Sequence, residues 1–192
     1  WDNNPISTQM LGICSALAVT TGLKVSIVMG ISVICVMAMA NVAISLLRNM
    51  IPSKIRIVVQ LVVVSGAVII VDQVLKAYAF DLSKQLGVFI SLIITNCIVM
   101  GRLEAFAMGN PPWRSLLDGI SNGLGYAWVI CLVGAVREVF GGGKLMGVQV
   151  VPDSLYEAGY VNNGLMVLAP GAFLLLGVIV WVQRAISGKV EE

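Results

Sequence analysis

Apolar residues along this chain run in long blocks rather than alternating with polar ones. Six blocks stand out, at roughly 5–21, 25–47, 57–78, 86–106, 115–138 and 164–184. Each is close to the ~20 residues an α-helix needs to cross a bilayer. The breaks between them are "RNMIPSKIR" at 48–56, "AFDLSKQLG" at 79–87, "GNPPWRS" at 109–115 and "GGGKLMGVQVVPDSLYEAGYVNNG" at 141–164. Gly, Pro, Asn and Asp cluster there, as turns require. The pattern predicts an all-α polytopic membrane protein with six transmembrane helices. Residues 1–192 form one integral membrane domain, because no connection is large enough to fold by itself.

Two blocks are irregular. The first is short and carries Gly12, Cys14, Ser15, Thr20 and Thr21. The fourth is apolar only to about Met100, places Thr95, Asn96 and Cys97 in a row, and then admits Arg102 and Glu104. Blocks one to three (about 5–78) and four to six (about 86–184) follow the same order. With an odd number of crossings per unit, the second copy enters from the opposite face. This predicts two inverted three-helix repeats with broken first and fourth helices, an arrangement in which interrupted helices meet near the bilayer midplane.

Composition agrees with a membrane location. The chain is 58% hydrophobic and 11% charged, with a mean hydropathy of +0.95. Soluble domains carry about 25% charged residues. A net charge of +2 without a Lys/Arg run gives no footprint for nucleic acid. The chain has no histidine, which excludes histidine-ligated haem, His-metal sites and Ser-His-Asp catalysis. "WDNNPISTQM" lacks the basic start of a cleavable signal. The first residue is Trp1, so further residues are expected before it. Counted by side, Arg48, Lys54, Arg56, Arg102, Arg114, Arg184 and Lys189 oppose Lys24, Lys76, Lys84, Arg137 and Lys144. The positive-inside rule then puts both termini in the cytoplasm.

The four cysteines differ in setting. Cys35 and Cys131 lie among bulky apolar neighbours in continuous blocks, where a thiol packs as a small hydrophobe. Cys14 and Cys97 lie beside small or polar residues in the broken blocks. Packing, a disulfide and metal ligation all remain open for them. Iron–sulfur and Cys₄ zinc sites want four thiolates. Two thiols are half a set, so a metal site would need a second chain.

Longer stretches carry a resemblance. "VDQVLKAYAFDLSKQLGVFISLIITNCIVMGRLEAFAM", "SLLDGISNGLGYAWV" and "REVFGGGKL" resemble the membrane-subunit family shared by the bacterial Na⁺-translocating NADH:quinone oxidoreductase and the Rnf ferredoxin:NAD⁺ oxidoreductase. The likeness runs from "DNNPI" to "WVQR". It is nearer to the D subunits of the quinone reductase than to the E subunits of Rnf. It implies a bacterial inner-membrane protein that shares a [2Fe-2S] cluster with a sister six-helix protein, the E subunit, of opposite orientation, two cysteines from each. On this sequence the implied ligands are Cys14 and Cys97. It also implies the A, B, C and F subunits as partners, with FAD, FMN and riboflavin held elsewhere. Electrons would pass from NADH to ubiquinone as Na⁺ is pumped, with no complete active site in this chain. A cofactor-free secondary transporter and a scaffold protein are the alternatives.

Around the expected ligands, Gly12, Ser15 and Gly101 would allow close backbone approach. Thr95 and Asn96 are candidate donors to sulfur. Asp72, one turn before Lys76, and Asp118 are candidates for a cation path. Arg102 with Glu104, and Arg137 with Glu138, lie at block ends and are expected at boundaries or subunit contacts. Gly119 and Gly123 form a Gly-x-x-x-Gly face suited to close helix packing.

Overall fold

The structure is a computed structural model that describes residues 11–20, 22–52, 54–78, 87, 91–145, 148–149, 164 and 168–186. Described residues are helical apart from turns and one short antiparallel pairing. The helices are α1 (Ile13–Val19), α2 (Leu23–Leu47), α3 (Arg56–Tyr78), α4 (Cys97–Arg102), α5 (Pro112–Gly142) and α6 (Ala169–Ile186). A π-helical turn over Leu103–Ala107 continues α4. The pairing joins β1 (Lys144–Leu145) to β2 (Val148–Gln149), with Lys144 opposite Gln149.

Three helices are long and apolar enough to cross a membrane: Leu23–Leu47, Arg56–Ala77 and Pro112–Gly142. Pro170–Val182 is a shorter apolar helix. The expected breaks at 79–87 and 141–164 lie largely outside the described residues, as does the chain before Leu11. Many large apolar side chains face outward, among them Val58, Val62, Ile69, Ile70 and Val74 on α3. Such a surface would be costly in water and suits hydrocarbon.

The structural spine is the packing of α2 against α5, the largest interface among the described residues. Small residues set its geometry. A Cβ on Gly30 would lie 2.9 Å from the Ala127 Cβ, and one on Gly123 would lie 3.1 Å from the Ile34 Cα. One on Gly119 would lie 3.1 Å from the Met37 carbonyl oxygen, and one on Gly134 would lie 2.6 Å from Ser26 Oγ. The expected close-packing face at Gly119 and Gly123 therefore presses on the α2 backbone. Position numbers rise along α2 as their partners fall along α5, so the two helices run antiparallel. Between them and the short helices lies a core built from Val33, Val36, Ile44, Ile98, Leu103 and Ile130.

Polar side chains on this spine hold the connections at both ends. Near the start of α2, Glu138 accepts the Leu23 N–H at 2.7 Å. This supplies a half-buried helix N-terminus with an acceptor. The buried Arg137 donates to Thr20 Oγ1 at 2.6 Å and to the Leu17 carbonyl at 3.4 Å, closing the C-terminal end of α1. Thr20 donates onward to the Ala16 carbonyl. The other terminal nitrogen of the Arg137 guanidinium donates to the Leu168 carbonyl ahead of α6. At the opposite end, Asn41 donates to the Ser115 carbonyl at 3.0 Å and Ser45 to the Asn110 carbonyl at 2.6 Å. Pro112 opens α5 at a position where its missing N–H costs nothing. Gly143 ends it with φ 64°, a left-handed cap that glycine adopts without strain.

Forcing α2 and α5 apart should destabilise the whole chain. Gly123→Val is expected to cost about 1–3 kcal/mol, the usual range for overpacking. Gly66→Ala on α3, where an added Cβ meets nothing within 4 Å, should leave stability unchanged or slightly raised. Thermal unfolding of the two variants in detergent checks the contrast.

Candidate functional site

The two irregular blocks become two short helices whose beginnings meet. In the first, Gly12 adopts φ 84° and serves as the N-cap of α1. Cys14 is the second helical residue. In the second, the chain is helical over 91–94, turns at Thr95, extends at Asn96 and restarts as helix at Cys97. Asn96 explains the restart, since its side-chain oxygen accepts the Ile98 N–H at 3.3 Å. That is the ordinary work of an N-cap asparagine. Both cysteines therefore lie in the first turn of a short helix.

These first turns are in direct contact. The Gly12 N–H donates to Cys97 Sγ at 2.8 Å. The Cys14 and Cys97 sulfurs are 3.8 Å apart. A disulfide requires about 2.05 Å, so the thiols are free. Two thiolates bound to one tetrahedral metal, with bonds of about 2.3 Å, lie roughly 3.8 Å apart. The pair thus has the spacing of two ligands on a single metal atom. Among the described residues, no group of three or more His, Cys, Asp or Glu side chains could complete such a site. Cys14 is exposed and Cys97 half-buried, so the pair is open on one side.

The site is tightly backed. A Cβ on Gly12 would lie 3.1 Å from the ring of Tyr126, and one on Gly101 would lie 2.9 Å from Leu11. Ser15 donates to the Gly12 carbonyl at 2.9 Å and lies 2.7 Å from the Tyr126 hydroxyl. Thr95 is exposed, and no described hydrogen bond runs from it to sulfur. Asn96 is buried, and its side-chain oxygen holds the helix start.

A family model described as "Rnf-Nqr subunit, membrane protein" matches residues 1–180. The chain belongs to the Rnf-Nqr subunit family. It is 56% identical over 184 residues to the D subunit of the Na⁺-translocating NADH-quinone reductase of Pseudomonas aeruginosa (strain LESB58), covering 96% of this chain and 82% of that protein. It is 54% identical over 193 residues to the D subunit of the same reductase from Yersinia pestis (strain Pestoides F), covering 100% and 92%. These relatives are, by name, parts of an oxidoreductase complex.

In this Rnf-Nqr chain the charges at block ends are not idle boundary groups. Arg102 and Glu104, two positions apart on a helix, point in different directions. Arg102 forms a two-pronged pair with Asp118 on α5, its Nε lying 3.0 Å from Oδ2. Its guanidinium also lies over the Phe106 ring. Glu104 pairs with Arg56 and accepts from Gln60 at 2.9 Å, both on α3. The π-helical turn that follows Arg102 and carries Glu104 has no signature in the sequence; π-bulges often mark functional positions. Asp118 lies well inside α5, which starts six residues earlier at Pro112. It also accepts from Asn122 at 2.9 Å. Asp72 accepts from Lys76 at 2.6 Å. Both candidate acids for a cation path are thus paired with a cation of this chain. Tyr126 is the neighbour of the thiols that sequence reasoning does not single out, and the role of Arg137 beneath α1 is equally hidden. The hint is a Tyr hydroxyl and a guanidinium inside a membrane block, each of which needs a partner.

Because the side chains of Arg102 and Asp118 are only 14% and 10% exposed, removing one partner strands the other. Arg102→Met is expected to cost about 3–5 kcal/mol, and Arg102→Met with Asp118→Leu markedly less than either single change. A double-mutant cycle on thermal unfolding decides this. Additive losses would contradict the pairing.

Proposed function

We propose that this chain is the D-type membrane subunit of a Na⁺-translocating NADH:quinone oxidoreductase. With a sister protein, the E subunit, inserted in the opposite orientation, it holds an intramembrane [2Fe-2S] cluster. One observation carries the reading: two thiols from separate short helices lie 3.8 Å apart at an open face. That spacing fits two ligands on one iron, with the other iron ligated by the partner. The identity to relatives named as D subunits of the quinone reductase favours this complex over Rnf.

The residues present suit such a group. Cys14 and Cys97 supply soft thiolate ligands. The bound cluster would act as a one-electron carrier. The Gly12 N–H points at a ligand sulfur and offsets negative charge in an apolar region. Ala16, Ile98 and Val99, within two residues of the cysteines, are buried and apolar. The exposed side of Cys14 is where two partner cysteines would approach. FAD, FMN and riboflavin lie elsewhere in the complex in this reading.

The antiparallel α2–α5 pair supports inverted repeats, since the second helix of each repeat would run in opposite directions. Six crossings, with both termini in the cytoplasm of a bacterial inner membrane, complete the proposed topology.

Cys14→Ala and Cys97→Ala, tested separately in the purified pair of sister proteins, should each abolish the bound iron. Cys35→Ala and Cys131→Ala should leave it intact. Full iron content, with unimpaired NADH-driven quinone reduction by the whole complex, in both of the first two variants would falsify the assignment.

A further inference from the structure

We propose that Tyr126 is a positioning residue for the Cys14–Cys97 pair, acting through a hydrogen-bonded relay that ends at the Cys97 sulfur. Tyr126 stands on α5, is fully buried, and contacts no thiol in any hydrogen bond described. Its hydroxyl lies 2.7 Å from Ser15 Oγ. Ser15 in turn donates to the Gly12 carbonyl at 2.9 Å. A hydroxyl carries one proton. Ser15 has committed its proton to the carbonyl, so it accepts from Tyr126. The direction of the relay is therefore fixed: Tyr126 to Ser15 to Gly12.

Gly12 is the pivot of this relay. Its carbonyl receives Ser15, and also the Ala16 N–H at 3.0 Å as the first bond of α1. Its N–H donates to Cys97 Sγ. The residue between those two bonds has φ 84°, a left-handed conformation. Glycine visits that region freely but is not confined to it. Something must select it, and the Tyr126 ring lies against the very position where a Cβ would be, at 3.1 Å. Ring and hydroxyl thus hold one side of Gly12 while the other side holds the sulfur. Cys14, two residues on, moves with the same turn. A side chain on the rigid spine sets the separation of two thiols carried by short helices.

The test needs no metal. Trivalent arsenicals bridge two adjacent thiols and protect both from alkylation. Membranes carrying the complete complex are stripped of metal under reductant and titrated with phenylarsine oxide. Protection of the Cys14 and Cys97 peptides is then read by mass spectrometry. Tyr126→Phe, which keeps the ring, and Ser15→Ala, which breaks the relay one step later, should each raise the half-protection concentration about tenfold, the order expected for losing a buried hydrogen bond. The double variant should lose no more than the singles, because both act on one relay. An unchanged half-protection concentration in either single variant, or additive losses in the double, would overturn the proposal.

The link to iron rests on the proposed function and is tested apart. In the loaded complex, Tyr126→Phe should lower the midpoint potential of the cluster, because a weaker N–H donor to sulfur disfavours the more negative reduced state. Altered arsenical protection with no change in any iron signal would support the positioning role and overturn only its link to the cluster, whereas retained iron in Cys14→Ala and Cys97→Ala would overturn the cluster reading itself.

Discussion

The contact between the Gly12 amide and the Cys97 sulfur is the hinge of this structure. A helix broken inside an apolar medium leaves backbone groups without partners, and each one costs free energy. Here the open start of one short helix is answered by the start of the other. An amide freed by the first turn of α1 meets a sulfur at the first turn of α4. The thiols are adjacent because their backbones had to be.

Everything else serves to hold two short helices in place. A seven-residue helix such as α1 has little stability of its own. It relies on Arg137 at one end and on Tyr126 and Ser15 at the other. Both Arg137 and Tyr126 belong to α5, which glycines press against α2. Similarly, Arg102 and Glu104 tie the stretch after Cys97 to α5 and α3. The long continuous helices form a frame, and the short ones are mounted on it by polar contacts. Hydrophobic packing alone could not do this in a bilayer, where lipid is as apolar as the side chains.

Much of this is legible in the order of residues. Apolar blocks and turn clusters locate α2, α3 and α5, because a bilayer imposes length and composition on any span. Polar residues in the first and fourth blocks mark where the short helices α1 and α4 begin, and the cysteines in them mark the candidate site. The remainder depends on tertiary geometry. Tyr126, within "GLGYAWV", resembles an interfacial aromatic until Ser15, 111 positions away, is seen beside it. Arg137 and Glu138 resemble a membrane boundary, yet both reach the connection between α1 and α2. Asn96 reads as a donor to sulfur, and its part as the cap that starts α4 through its side-chain oxygen emerges only with the turn at 95–97. Asp118 resembles a helix-start carboxylate, and its partner Arg102 emerges only once α4 and α5 are packed.

In the proposed complex, two thiols of this chain ligate one iron of a cluster completed by a second chain. Iron X-ray absorption on the pair of sister proteins, purified away from other iron-bearing subunits, tests it most directly. An all-sulfur first shell at about 2.3 Å with a short iron–iron vector is expected. Iron absent from the pair, or a first shell of nitrogen and oxygen, would contradict it.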